Sequence, residues 1–219
     1  MNVEPPPGQS SSTGKESVPR DAPRIGPGSA ADIGQINALI ARALGAATGG
    51  GPPNFATTLG RHWRLFRRWL RFGAALMPGG VLPRSETELV ILRVAHNTGC
   101  EYEWRHHERL ARAVGLTAEQ VRSARQGHTA PGWTQRQRLV LRAADELHHE
   151  RVMSESLWSE LRPLLSDVEV IELCMLIGQY EMLAMTLNTL RVAPDRLPDG
   201  PPPRWARALQ RLSARRSHT

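Results

Sequence analysis

The sequence predicts an all-α domain, and three observations predict it. Four quartets, Ser85-Glu-Thr-Glu88, Thr117-Ala-Glu-Gln120, Thr134-Gln-Arg-Gln137 and Ser166-Asp-Val-Glu169, have the form of helix capping boxes. Each precedes or opens a run of helical periodicity, and Gly99, Gly115 and Gly127 punctuate the ends of such runs. No stretch sustains the period-two alternation of a half-buried strand. The expected architecture is seven or eight helices between residues 31 and 192.

Taken in order, residues 1–30 are rich in Pro, Ser and Gly and hold almost nothing to bury, so they are expected to form a disordered arm. From Asp32, Ile33, Ile36, Leu39, Ile40, Ala43 and Leu44 recur at helical spacing until Gly45. After a Gly/Pro linker, Asn54 is placed to cap a helix that runs to about Met77 and stops at Pro78-Gly79-Gly80. Leu59, Phe66 and Leu70 supply apolar positions on it. Arg61, Arg64, Arg68 and Arg71 line one of its faces, which reads as a solvated face. Residues 84–115 read as two helices around a break at residues 97–99. The segment 168–190 is the most apolar, but Glu169, Glu172, Gln179 and Glu181 interrupt it, so a core helix is expected and no membrane span. Prolines from Pro194 onward close the domain. Residues 193–219 form a Pro- and Arg-rich tail, with Trp205, Leu209 and Leu212 at helical spacing.

The 219 residues, 40% hydrophobic and 22% charged, suit one globular domain. A net charge of +7 would suit an anionic partner. Lys15 is the only lysine, however, and the arginines are spread along the chain without a recognisable nucleic-acid module, so nucleic acid is not the expected partner. Two cysteines, Cys100 and Cys174, make no disulfide framework and fit a reducing cytoplasm. No basic start leads into an apolar run, and a signal peptide is not expected.

Residues 84–115 concentrate the reactive side chains. At about 100° per residue, Cys100, Glu103 and His107 fall on one stripe of their helix, with Arg105, Arg109 and Arg112 opposite and His106 on the flank. In the preceding helix Glu88 falls among Ile91, Leu92 and Ala95. Two carboxylates, a thiol and an imidazole therefore point inward, and burying each without a partner costs about 2 kcal/mol or more. Plain structural readings stand beside the functional one. Glu88 can serve only as the capping partner of Ser85, Cys100 and Cys174 as small core residues, and His107 as a satisfied structural histidine. Tyr102 and Trp104 suit packing or the wall of a substrate pocket.

The stretch VLPRSETELVILRVAHNTGCEYEWRHHERLARAVGLTAEQV resembles the carboxymuconolactone decarboxylase family, which also contains alkylhydroperoxidase D. The likeness runs roughly from Leu59 to Val192, and its most specific part is the spacing of Glu88, Cys100 and His107. It implies an alkylhydroperoxidase D-like helical bundle that assembles into trimers or hexamers, with active sites near subunit contacts. Peroxidase members carry Cys-x-x-Cys, a His four residues later and an upstream Glu as proton relay. Here the pair would fall on positions 100 and 103, and position 103 is Glu. Tyr102 stands where the peroxidases often have His. Glu103 would also raise the pKa of a neighbouring thiol. The resemblance thus implies catalytic His107, Glu88, Cys100 and Glu103, with Tyr102 and Trp104 at the substrate. In the decarboxylase branch His107 is the general acid/base, Glu88 orients it, and Glu103 or Tyr102 handles the second proton. The alternative is peroxidase chemistry at Cys100 with an external reductant.

The expected partners are a small-molecule substrate, with surplus arginine available for a carboxylate, and further copies of the chain; no cofactor or metal is expected. Two competing classes fit the residues less well. Glu103-x-x-His106 and Glu146-x-x-His149, with Glu88 and Glu172, could build a di-metal carboxylate site. A non-catalytic oligomeric protein is the third class.

Overall fold

Gly34 and the turn at residues 60–62 split what periodicity predicts as two helices into four. The computed structural model describes residues 22–198 and Pro203, and among these it has ten α-helices, a 3₁₀ turn and no strand. In order these are α1 (Ala30–Ile33), α2 (Gln35–Thr48), α3 (Asn54–Leu59), α4 (Trp63–Leu76), α5 (Arg84–Asn97), α6 (Glu101–Ala113), α7 (Ala118–Ser123), α8 (Gln135–Glu150), α9 (Glu155–Leu161) and α10 (Asp167–Leu190). Gly34, at φ 79°, is where α1 turns into α2. The count exceeds the expected seven or eight because a local turn needs no loss of apolar rhythm. Ile36 and Leu39, expected on the buried face of α2, are exposed, while Asn37, Ala38 and Ala41 are buried.

Three of the four expected capping boxes form, at Thr117, Thr134 and Ser166. The fourth does not. Helix α5 begins one residue before Ser85, with Pro83 at its N-cap, which frees Glu88 for another role. Asn54 is likewise inside α3 rather than capping it, and its side-chain amide donates to the Ala193 carbonyl at 3.0 Å.

Helix α5 is the axis of the fold and packs against α6, α8 and α10. Val90, Ile91 and Val94 join Leu139, Val140, Leu173, Leu176 and Ile177 in the main core. Leu89, Leu92 and Trp104 face a second cluster with Leu116, Val121 and Trp133. Ion pairs lock these helices in register. Arg136 of α8 donates to Glu86 of α5 at 2.8 and 2.9 Å, to the Leu164 carbonyl at 2.6 Å and to Glu169 of α10 at 2.6 Å. Arg93 of α5 pairs with Asp145 of α8, which also accepts from Asn97.

The entry to α5 is set by α10. Glu172 accepts from the backbone N–H groups of Val81 (2.6 Å) and Leu82 (2.9 Å). A Cβ on Gly80 would lie 2.5 Å from the Leu76 carbonyl oxygen and 2.3 Å from that carboxylate, so the close approach of backbone requires glycine there.

Helix α10 is, among the described residues, long and apolar enough to cross a membrane by length and composition, but 56% of its most apolar window is buried inside the bundle. That fits the expected core helix. Its other face differs from expectation: Cys174, read as core, is exposed, as are Val168, Ile171, Met175, Met182 and Met185. A helix apolar all round gives no phase from which to tell its inner side.

Part of the terminal segments joins the body. The Arg24 N–H donates to the Leu190 carbonyl at 2.9 Å and the Gly28 N–H to that of Thr57 at 3.1 Å, so the body begins ahead of residue 30. Past α10, Asp195 returns to the start of α3, accepting from the Asn54 N–H at 2.8 Å. Residues 1–21 of the expected arm, and Trp205, Leu209 and Leu212, lie outside the described residues.

Candidate active site

Gly99, at φ 62°, lets the chain reverse between α5 and α6, and the Cys100 N–H then closes on the Ala95 carbonyl at 2.8 Å. This turn lays the first two turns of α6 across the first half of α5. Four charged side chains meet there in alternating sign. Arg84 Nη2 donates to Glu88 Oε1 at 2.6 Å, Glu88 Oε2 meets His107 Nδ1 at 2.7 Å, and His107 Nε2 lies 3.3 Å from Glu103 Oε2. All are withdrawn from solvent: the Glu88 side chain is 0% exposed and that of His107 5%. The Tyr180 ring stands edge-on to the imidazole, 5.1 Å between centroids.

Burial opposes a charge on His107, but the carboxylate of Glu88 and the hydrogen bonds with Glu103 and Glu88 outweigh it, and its pKa rises to about 9. Near neutral pH the site therefore stores a proton on an imidazolium held between two carboxylates. Burial, reinforced by the charges of Glu103 and Glu88, pushes the Tyr180 phenol well above its usual range, so it keeps its proton.

These groups form the polar end of a cavity of about 520 Å³. Arg84, Glu103, His107, Gln179 and Tyr180 line that end; Phe55, Trp69, Leu70, Met77, Leu110 and Leu183 line the rest. Tyr102 and His106 stack at 4.8 Å on another part of the wall, and both bind Asp195, His106 Nε2 at 2.9 Å. Tyr102 Oη also accepts from the Phe55 N–H at 3.2 Å. Burial and then Asp195 drive the Tyr102 phenol far above its usual range. Burial alone would raise Asp195, but hydrogen bonds from His106, Tyr102 and the Asn54 N–H bring it below the usual carboxylate range. The segment after α10 is thus tied to the cavity wall, beside a smaller cavity of about 320 Å³ lined by His106, Asn54 and Asp195.

The structure brings together Glu88, Glu103 and His107, and places Tyr102 on the same cavity. It does not bring Cys100 or Trp104 to it. Cys100 is fully buried in the main core and absent from the cavity wall, and burial, with the charge of Glu103 adding, pushes its thiol up to about 11. Trp104, expected at the substrate, packs in the second cluster instead, with Arg125 over its ring at 3.7 Å and His96 at its edge. The di-metal arrangement does not assemble. Glu172 holds the loop before α5, Glu146 binds Arg142 and Ser154, and no cluster of three or more metal-ligating residues occurs among the described residues.

Sequence reasoning missed Arg84, Gln179, Tyr180 and Asp195. Arg84 could have been found as the residue one turn before Glu88, and Gln179 as a polar interruption of an apolar helix. Asp195 left no such signal, because its contacts arise only when the chain returns past α10.

Residues 64–146 match the family model of the Carboxymuconolactone decarboxylase family. Among curated proteins none matches. Among solved structures, a peroxidase-related protein with an alkylhydroperoxidase AhpD core from Ralstonia eutropha JMP134 aligns with a TM-score of 0.69 at 18% identity, covering 78% of this chain and 93% of that one. A peroxidase-related protein from Silicibacter sp. TM1040 aligns at 0.65 with 16% identity, over 72% and 84%. The debrominase Bmp8 aligns at 0.66 with 16% identity, over 87% and 97%. At these identities the structures show a shared fold. Over residues 64–146, and in its alkylhydroperoxidase D-like helical fold, the chain is similar to the carboxymuconolactone decarboxylase family.

Proposed function

We propose that this protein is a decarboxylase-like enzyme that moves protons at carbon on a small metabolite. The observation that carries the reading is the imidazolium of His107, held between Glu88 and Glu103 at the polar end of an otherwise apolar cavity. In the reaction the bond between a carboxyl carbon and its neighbour breaks, carbon dioxide leaves, and the electron pair passes into an adjacent carbonyl as an enolate. His107, through Glu103, returns one proton to that carbon and is reprotonated from water, so one proton is consumed per carbon dioxide released. Glu88 fixes the ring, its own place held by Arg84. The low dielectric of the cavity strengthens each of these interactions.

Cysteine chemistry is less well supported, because Cys100 is buried away from the cavity with its pKa raised. A variant of Bmp8 has been solved with 2,3,4-tribromopyrrole, and a flat ring of that size would suit the apolar wall here as well. We propose further that the chain works as a homo-oligomer in a reducing, cytoplasmic setting. The exposed apolar face of α10 and the two unpaired cysteines support this.

The test is a panel of lactone acids and β-keto acids assayed for carbon dioxide release and for deuterium uptake from heavy water. Parallel assays follow peroxide consumption with a dithiol reductant. His107→Gln and Glu103→Gln should each lower turnover by about 10²- to 10⁴-fold, with Cys100→Ser close to wild type. Peroxide turnover that vanishes in Cys100→Ser, with no acid–base turnover in wild type, would overturn the reading.

A further inference from the structure

Among the described residues, two buried side chains on the cavity wall carry polar atoms without a hydrogen-bond partner. Arg84 is only 9% exposed; its Nη2 binds Glu88, while Nε and Nη1 meet no acceptor. Gln179, 5% exposed, has an Oε1 that receives no donor. Both residues line the same cavity. Charged and amide groups held out of water are ordinarily satisfied, so an unmet donor set and an unmet acceptor on one wall describe the ligand that completes them.

We infer that Arg84 and Gln179 recognise the head of the ligand, and that this head is a carboxylate with a hydrogen-bond donor beside it, as in a 2-hydroxy acid. The inference rests on the cavity being the proposed active site and adds the chemistry of what enters it. Among the described residues Arg84 is the one Lys or Arg on the cavity wall, so a single carboxylate is anchored. Phe55, Trp69, Leu70 and Leu183 provide the surface for an apolar, ring-sized body. Glu88 engages one nitrogen of the guanidinium, while Nε and Nη1 are left without an acceptor. An ion pair with Arg84 stabilises the anion and opposes loss of carbon dioxide from it. This carboxylate is therefore retained through the reaction, and any carboxyl that leaves is a different one.

The test is calorimetric titration of the full chain with mandelate, phenylacetate and methyl mandelate. Mandelate should bind most tightly, phenylacetate several-fold more weakly, and the neutral ester about tenfold or more below mandelate. Arg84→Gln should weaken mandelate by about tenfold or more while leaving the ester unchanged. Gln179→Leu should bring mandelate to the level of phenylacetate. Arg84→Lys keeps a charge beside Glu88, so it guards against a variant that fails to fold, and it should bind mandelate at an intermediate level. Equal affinity for acid and ester, or no binding of either acid, overturns the inference. The two readings fail separately. His107→Gln should still bind mandelate. Acid–base turnover without carboxylate binding sinks only this inference, and carboxylate binding without turnover in wild type sinks only the proposed function.

Discussion

At the scale of single residues, the site is a problem of charge in a dry place. His107 is buried, which disfavours its charged form, yet two carboxylates reverse the balance and raise its pKa to about 9. Because the folded value lies above the unfolded value of about 6.5, the stabilisation is fully present below pH 6.5 and is lost as pH rises through about 9. The expected loss is about 3 kcal/mol across that window. It is checked by urea unfolding of wild type and His107→Gln at a series of pH values, with the imidazole titration followed by NMR. A stability difference between the two that does not change with pH would contradict this account. The opposite case is Cys100, where burial and a nearby carboxylate both act against the thiolate. A second thiol at position 103 would have changed that balance, and Glu103 supplies the acid–base partner instead.

At the scale of elements, the site depends on α5 staying fixed between α8 and α10. Arg136 carries much of that constraint, since one guanidinium reaches Glu86, Glu169 and the Leu164 carbonyl. Arg136→Met should destabilise the protein by about 3 kcal/mol, because it leaves Glu86 buried without its partner. Burial already raises the pKa of Glu86 against the lowering effect of Arg136, so the variant should lose further stability as pH rises above the unfolded carboxylate value of about 4.5. Adding Glu86→Leu should recover part of the loss, and a double-mutant cycle by urea unfolding measures the coupling. Full additivity would mean that the pair holds nothing together. The same helix shows why local reading stops short: Ser85-Glu-Thr-Glu88 has the letters of a capping box, but the Pro83 start of α5 shifts the frame and turns Glu88 inward.

At the scale of the whole molecule, α10 faces two ways. One side completes the core and supplies Gln179 and Tyr180 to the cavity. The other presents Val168, Ile171, Met175, Met182 and Met185, with Gly178 among them, at alternating spacings of about three and four residues. Each buried side chain of this kind contributes about 1.5–3 kcal/mol, so the stripe is costly to leave in water. Ile171→Glu with Met175→Glu should reduce the assembled mass measured by analytical ultracentrifugation while leaving the helical circular dichroism unchanged. A wild-type protein that sediments as a monomer would dismiss the assembly.

The sequence by itself determined the helical class, the break at Gly99, three of the caps and the inward phase of Glu88, Glu103 and His107. Capping chemistry and a period of about 3.6 residues are local, and they act within a few residues of one another. Only the tertiary structure decided that Cys100 and Trp104 lie away from the cavity, that Cys174 faces outward, and that Arg84, Gln179 and Asp195 belong to the cavity or its wall. Those outcomes depend on which neighbour each helix face meets. An apolar helix such as α10 has no polar side to announce it, and Asp195 reaches Tyr102 and His106 only after the chain has returned across the fold.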